Sequence, residues 1–226
     1  VAPVEIIWEP KIFLPFHPNG MKFVSVDKEG KETDQWVVFS IGGGALAEES
    51  DGASSVNTPD VYSMNSMTEI LQWCERTGKS YWEYVKECED SDIWDYLQEV
   101  WKTMQNAVKR GLEQEGVLPG PLNLRRKAST YYIRASGYKQ SLQSRGLVFA
   151  YALAVSEENA SGGVIVTAPT CGSCGVMPAV LYHLAKSREF SDTRILRALA
   201  TAGLVGNIVK TNASISGAEV GCQGEV

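Results

Sequence analysis

Two spacings of apolar residues divide this chain. Up to about residue 50 they come in short runs that suit strands. Met21 to Val26 and Trp36 to Ile41 flank Asp27-Lys-Glu-Gly30, which predicts a hairpin with a longer loop. Ile6 to Trp8 and Ile12 to Leu14, broken by Pro10 and Pro15, predict two further short strands. Gly42-Gly-Gly44 ends the last run, and the polar, small-residue stretch from Glu48 to Pro59 reads as a linker.

From Ser63 the period becomes helical. Ser66-Met-Thr-Glu69 is a capping-box pattern ahead of Ile70, Leu71, Trp73 and Cys74. Between Asp92 and Glu115, Trp94, Leu97, Trp101, Met104, Val108 and Leu112 recur at three- and four-residue intervals. That stripe predicts a long amphipathic helix whose aromatics serve packing. Gly116 to Pro121 breaks the pattern and Arg125-Arg-Lys127 follows, a trio that suits either a solvated turn or a carboxylate. Tyr131 to Glu158 reads as helical with interruptions near Gly137 and Gly146. Within it, Leu147 to Val155 is apolar all round and predicts a buried central helix. Further helices are predicted from Met177 or Pro178 to Ser187, with proline in the first turn, and from Thr193 to Val205. The fold class expected is α+β: the remnant of a small α/β domain over 1–50, a linker over 51–62, and a mostly all-α helical domain over 63–226.

A formal charge of −6 and a pI near 5.1 argue against nucleic acid and anionic membranes as partners. No apolar run has the roughly 18–20 residues of a spanning helix, and no charged-then-apolar leader opens the chain, so a cytoplasmic location is expected. Starting at Val1 and stopping at Val226 inside a motif, the chain reads as a piece of a longer polypeptide.

Five cysteines, an odd count, argue against a complete disulfide framework. Cys74 and Cys88 lie in tryptophan-rich helical surroundings and read as ordinary buried thiols. The others sit in small-residue loops that cannot build a core. Cys171 and Cys174 belong to TAPTCGSCGVMP (167–178), and Cys222 to KTNASISGAEVGCQGEV (210–226). The two loops are expected to meet around a metal centre. Cys171-Gly-Ser-Cys174 alone is a weak signal. The βαβ setting of a thioredoxin-type pair is missing, and a zinc site would need Cys171, Cys174, Cys222 and a fourth ligand such as His183. Thiolates also hold iron–sulfur clusters, and three of them on a four-iron cluster leave one iron open to substrate.

The segment SISGAEVGCQGEV, from Ser214 to Val226, resembles the signature of the bacterial iron–sulfur-dependent L-serine dehydratases (L-serine ammonia-lyases) of single-chain type. HPNGM (17–21) with SIGGG (40–44), and GVLPGPL (116–122), match the same family in order, so the resemblance spans nearly the whole chain. It implies that 1–50 is the C-terminal part of the family's beta-chain-like domain and 63–226 a truncated alpha-chain-like catalytic domain. It implies a 4Fe–4S cluster as Lewis acid, no pyridoxal phosphate, and L-serine converted to pyruvate and ammonia by a homodimer. Cys174 and Cys222 match two cluster cysteines, the third lying beyond this chain. Cys171 stands where relatives often carry a polar residue, and is a spare thiol or a stand-in ligand.

The resemblance also places His17 and Asn19 at the border of the active site, holding substrate or sharing a proton. On the residues alone, His17 before Pro18 and Asn19-Gly20 reads equally as a turn. Asn212, Ser214 and Ser216 would bind the substrate's carboxylate or ammonium, with helix capping as the plainer role for the serines. Glu219 and Gln223 would orient cluster or substrate, and His183 reads as structural. A Ser-Ser-Ser-His-Thr-like segment of the family has no match here; if it supplies the base, this chain lacks it. Three rivals remain: a zinc-binding or redox-sensing thiol module, a sibling lyase acting on cysteine or another hydroxy amino acid, and an interaction domain that would hold no metal.

Overall fold

The structure, a computed structural model, describes residues 3–9, 11, 12, 14–17, 19–42, 45–48, 60–167 and 170–212. The chain forms two units, Val1–Thr58 and Pro59–Val226.

The first unit holds a three-stranded antiparallel sheet in the order β1 (Gly20–Val26), β2 (Glu32–Gly42), β3 (Ala45–Glu48). The β1–β2 hairpin forms as its pattern predicts. The Asp27 carboxylate accepts the N–H groups of Glu29 and Lys31, each at 2.9 Å, which closes the loop that Gly30 turns with a φ of 82°. Phe23 pairs with Trp36 across the strands, and their rings stack at 5.4 Å. β3 was not expected: residues 45–48 pair back onto β2, and Trp36 Nε1 donates to Glu48 at 2.7 Å. A pairing partner set this strand, because its four residues carry little pattern of their own. The strand expected over Ile6–Trp8 does not form, and residues 3–9 are irregular and exposed. No described strand pairs with them, and apolar content without a ladder partner does not make a strand.

The second unit is helical: α1 (Met67–Thr77), α2 (Tyr81–Cys88), α3 (Ile93–Glu113), α4 (Ala128–Ser136), α5 (Gln140–Ala160), α6 (Val176–Ser187) and α7 (Asp192–Asn212). Ser66 caps α1 by accepting the Glu69 N–H at 3.3 Å. Ser80 and Glu83 form a second capping box that separates α2 as its own helix. In α3 the expected stripe is the core face, with Leu97, Trp101, Met104 and Val108 buried. They pack with Ile70, Tyr84, Tyr151, Val155, Leu181, Ile195 and Leu199 in one cluster.

α5 organises this unit, since α3, α4 and α6 all pack on it. Each contact is made at a glycine. A Cβ on Gly111 of α3 would stand 2.2 Å from the Ala154 carbonyl oxygen. A Cβ on Gly146 of α5 would stand 2.8 Å from the Ala135 Cβ of α4. Gly175, the N-cap of α6, would meet the Ala152 oxygen at 2.5 Å. Gly146 was expected to interrupt the helix, yet α5 runs through it unbroken, because this glycine serves close approach rather than a turn. The break falls between α4 and α5, at Gly137 to Lys139. α5 is also less enclosed than expected: Phe149 is 59% exposed, on a side that the described helices leave open.

Candidate functional site

The C-terminal end of α5, the turn that carries Cys171 and Cys174, and the head of α6 form one built region. α5 stops in a Schellman arrangement: Gly162, at φ 72°, donates to the Asn159 oxygen at 3.2 Å and Gly163 to the Glu158 oxygen at 2.8 Å. The last turns of the helix bear two adjacent buried carboxylates, Glu157 and Glu158.

Glu157 Oε1 accepts the backbone N–H of Lys127 at 2.6 Å and of Ala128 at 3.2 Å. It thereby caps α4 from another helix, since Lys127 at the N-cap has no acceptor of its own. Glu158 lies between two arginines. Arg110 Nε donates to its Oε2 at 2.9 Å, and Arg126 Nη1 stands 3.6 Å from its Oε1. Arg126 Nη2 donates to Ser161 Oγ at 2.6 Å, and Arg110 Nη2 to the Val164 carbonyl at 2.6 Å. Of the basic trio, then, Arg126 takes up a carboxylate within the chain, while Arg125 and Lys127 are exposed. Sequence reading missed Glu157 and Glu158, which look like the solvated end of a helix. The signal available was the paired arginine after a proline–glycine break.

Next to this charge lies the thiol turn. The Cys171 carbonyl accepts two hydrogen bonds, from the Cys174 N–H at 3.3 Å and from Asn159 Nδ2 at 3.0 Å. Cys171 is exposed and Cys174 buried, 7% accessible, among the core residues. Val176 N–H donates to the Ser173 carbonyl at 3.0 Å, so α6 begins directly out of the turn. Cys74 and Cys88 are half-buried in the helical unit, and burial pushes both thiols up from their ordinary value. Among the described residues, no group of three or more His, Cys, Asp or Glu side chains is placed to hold a metal ion. Cys222, Ser214, Ser216, Glu219 and Gln223 lie outside the described residues.

Asn212 is the last residue of α7 rather than part of a loop, because that helix extends seven residues past its expected end at Val205. Its Nδ2 donates to the Asn65 carbonyl at 2.8 Å and to the Ile208 carbonyl at 3.0 Å. With both amide hydrogens engaged, Oδ1 is the atom it offers to a ligand. His183, on α6, pairs its Nε2 with Ser144 Oγ at 2.6 Å. Burial, then the nearby Arg188, lowers its pKa below the ordinary value.

In the sheet unit, His17 and Asn19 sit in the loop before β1. Asn19 N–H donates to His17 Nδ1 at 3.1 Å, and the Asn19 carbonyl accepts from Ser40 of β2 at 3.0 Å. Phe16 packs on Phe39 at 4.8 Å and anchors the loop. Because Nδ1 accepts, the neutral ring carries its proton on Nε2. In this geometry His17 is a donor through Nε2.

The chain belongs to the serine dehydratase family: residues 29–226 match the serine dehydratase alpha chain and residues 2–51 the serine dehydratase beta chain. It is 40% identical over 229 residues to an L-serine dehydratase of Haemophilus influenzae, covering 96% of this chain and 50% of that protein. It is 41% identical over 227 residues to L-serine dehydratase 1 of Escherichia coli, covering 94% and 49% respectively. An L-serine dehydratase of Streptomyces coelicolor is 40% identical over 225 residues. The chain spans about half the length of the curated relatives it matches.

Proposed function

We propose that this chain carries part of the machinery of an L-serine dehydratase that converts L-serine to pyruvate and ammonia. In this reading Cys174 and Cys222 hold a 4Fe–4S cluster, Cys171 is a spare thiol at its rim, and no pyridoxal phosphate takes part. The observation that carries it, beside family membership, is the small-residue turn at the head of α6. That turn carries one exposed thiol, Cys171, and one buried thiol, Cys174, and its carbonyl is held from α5. Thiolates are the ligands such clusters take, so the donors present fit the group, and the positive end of a helix favours an anionic assembly. When bound, the cluster would supply a Lewis-acidic iron to stabilise the charge on the departing β-hydroxyl.

The chain's own residues then divide the remaining work. His17, a donor through Nε2, holds the serine carboxylate by a hydrogen bond, and a group other than His17 takes the α-proton. Asn212, offering Oδ1, suits the ammonium rather than the carboxylate. Loss of the α-proton and the β-hydroxyl gives aminoacrylate, which tautomerises and hydrolyses to pyruvate and ammonia. No described helix is long and apolar enough to cross a membrane, and a small polar substrate needs none.

The test is serine-dependent pyruvate release from anaerobically reconstituted protein. It compares this chain with a form extended at both ends to the length of its relatives. Iron with acid-labile sulfide, and activity in the long form that air abolishes, support the reading. Stoichiometric zinc without sulfide replaces it with a thiol module. A loaded cluster with no pyruvate from serine moves the substrate to cysteine or another hydroxy amino acid. Light scattering at twice the chain mass would support a homodimer.

A further inference from the structure

We propose that Asn159 is a positioning residue for the Cys171–Cys174 turn, registering both thiols against α5. Its consequence for a metal centre rests on the reading above, but the positioning itself does not.

Three residues of α5, Ala152, Ser156 and Asn159, are spaced by four and three and so share one face of the helix. All three meet the thiol turn. The Ala152 carbonyl oxygen and Ser156 Oγ would stand 2.5 and 2.9 Å from a Cβ on Gly175, so the α5 backbone and the Ser156 hydroxyl both lie directly against that glycine. One turn further along, Asn159 Nδ2 donates to the Cys171 carbonyl. That carbonyl also accepts the Cys174 N–H, so it closes the turn and ties the turn to α5 at once. Gly175 thus fixes how close the turn approaches, and Asn159 fixes where along the helix it sits.

Asn159 is itself held from the other side. Its own carbonyl takes the Gly162 N–H of the helix-ending motif. Its neighbours Glu157 and Glu158 are bound by the α4 N-terminus and by Arg110 and Arg126. The buried charge therefore acts as a footing for the amide that holds the thiols. An aspartate at 159 would keep the shape but lose the donor, and would set an acceptor against the Cys171 oxygen.

The experiment is peptide-resolved alkylation of the metal-free full chain under reducing conditions, comparing the parent with Asn159→Asp and Asn159→Ala. Cys174 is the reporter, since reagent reaches it only when the turn opens. Cys74 and Cys88, elsewhere in the same helical unit, report general loosening. Cys174 is expected to react about threefold to fivefold faster in both variants, the effect of one partly exposed hydrogen bond on a local opening equilibrium, with Cys74 and Cys88 unchanged. An unchanged Cys174 rate overturns the proposal, and so does an equal rise at all three thiols. Asn159→Asp keeps the test in force should Asn159→Ala fail to fold. In iron- and sulfide-reconstituted protein the same variants should lose iron to a chelator faster. A parent chain that takes up no cluster counts against the proposed function, while the alkylation result still decides the role of Asn159.

Discussion

Phe23 and Trp36 stack across β1 and β2 yet stay half in solvent, whereas Trp101 of α3 is 2% accessible inside the helical core. The two units use the same kind of residue for different ends. In the sheet, aromatic pairs fix register along a hairpin whose described β1 residues are mostly exposed, and the loop is closed by one carboxylate. In the helical unit, aromatics fill space between backbones brought together at glycines, and two buried carboxylates are tied to the α4 N-terminus and to Arg110 and Arg126. The first kind of order is local and can be read from a few neighbouring residues. The second depends on residues 30 to 50 positions apart, such as Lys127 with Glu157 or Arg110 with Glu158.

The contrast can be tested by its energies. Trp101→Ala should cost the helical unit roughly 3–5 kcal/mol, read as lost helical circular dichroism on urea titration. Next comes Glu158→Gln, expected to cost about 3 kcal/mol because Arg126 is left buried without its carboxylate. The double variant with Arg126→Met should recover part of that loss. In the sheet, a double-mutant cycle on Phe23 and Trp36 should give a coupling of only about 0.5 kcal/mol, followed by amide exchange over residues 20–48. A coupling as large as the Trp101 effect would break the comparison.

The smallest effect sharpens it through pH. His183 has a folded pKa below its ordinary value of 6.5, set by burial and then by Arg188. As pH falls through that value the unfolded chain takes up the proton first, so stability is lost from there down to the folded value. His183→Gln should flatten that slope in the helical signal and leave sheet amide exchange alone.

The same distinction explains what could be read in advance. The hairpin, the α3 stripe and the α1 cap follow from local spacing and were legible, as was the mostly helical α+β class. β3 was not, because its partner made it a strand. Gly146 was misread because a glycine looks alike in sequence whether it turns a chain or admits a neighbour. At the candidate site the thiol turn announced itself by its composition, while Asn159 and the two glutamates gave no local sign. Their roles come from partners that only folding brings near.

The glycines around α5 also determine which errors evolution could repair. Gly146 faces a side chain, the Cβ of Ala135, so a larger residue at 146 can be rescued by Ala135→Gly. Gly111 and Gly175 face carbonyl oxygens of the α5 backbone, which no substitution can trim. In a suppressor screen of this chain, lesions at 146 should yield second-site revertants at 135. Lesions at 111 and 175 should return only by restoring glycine.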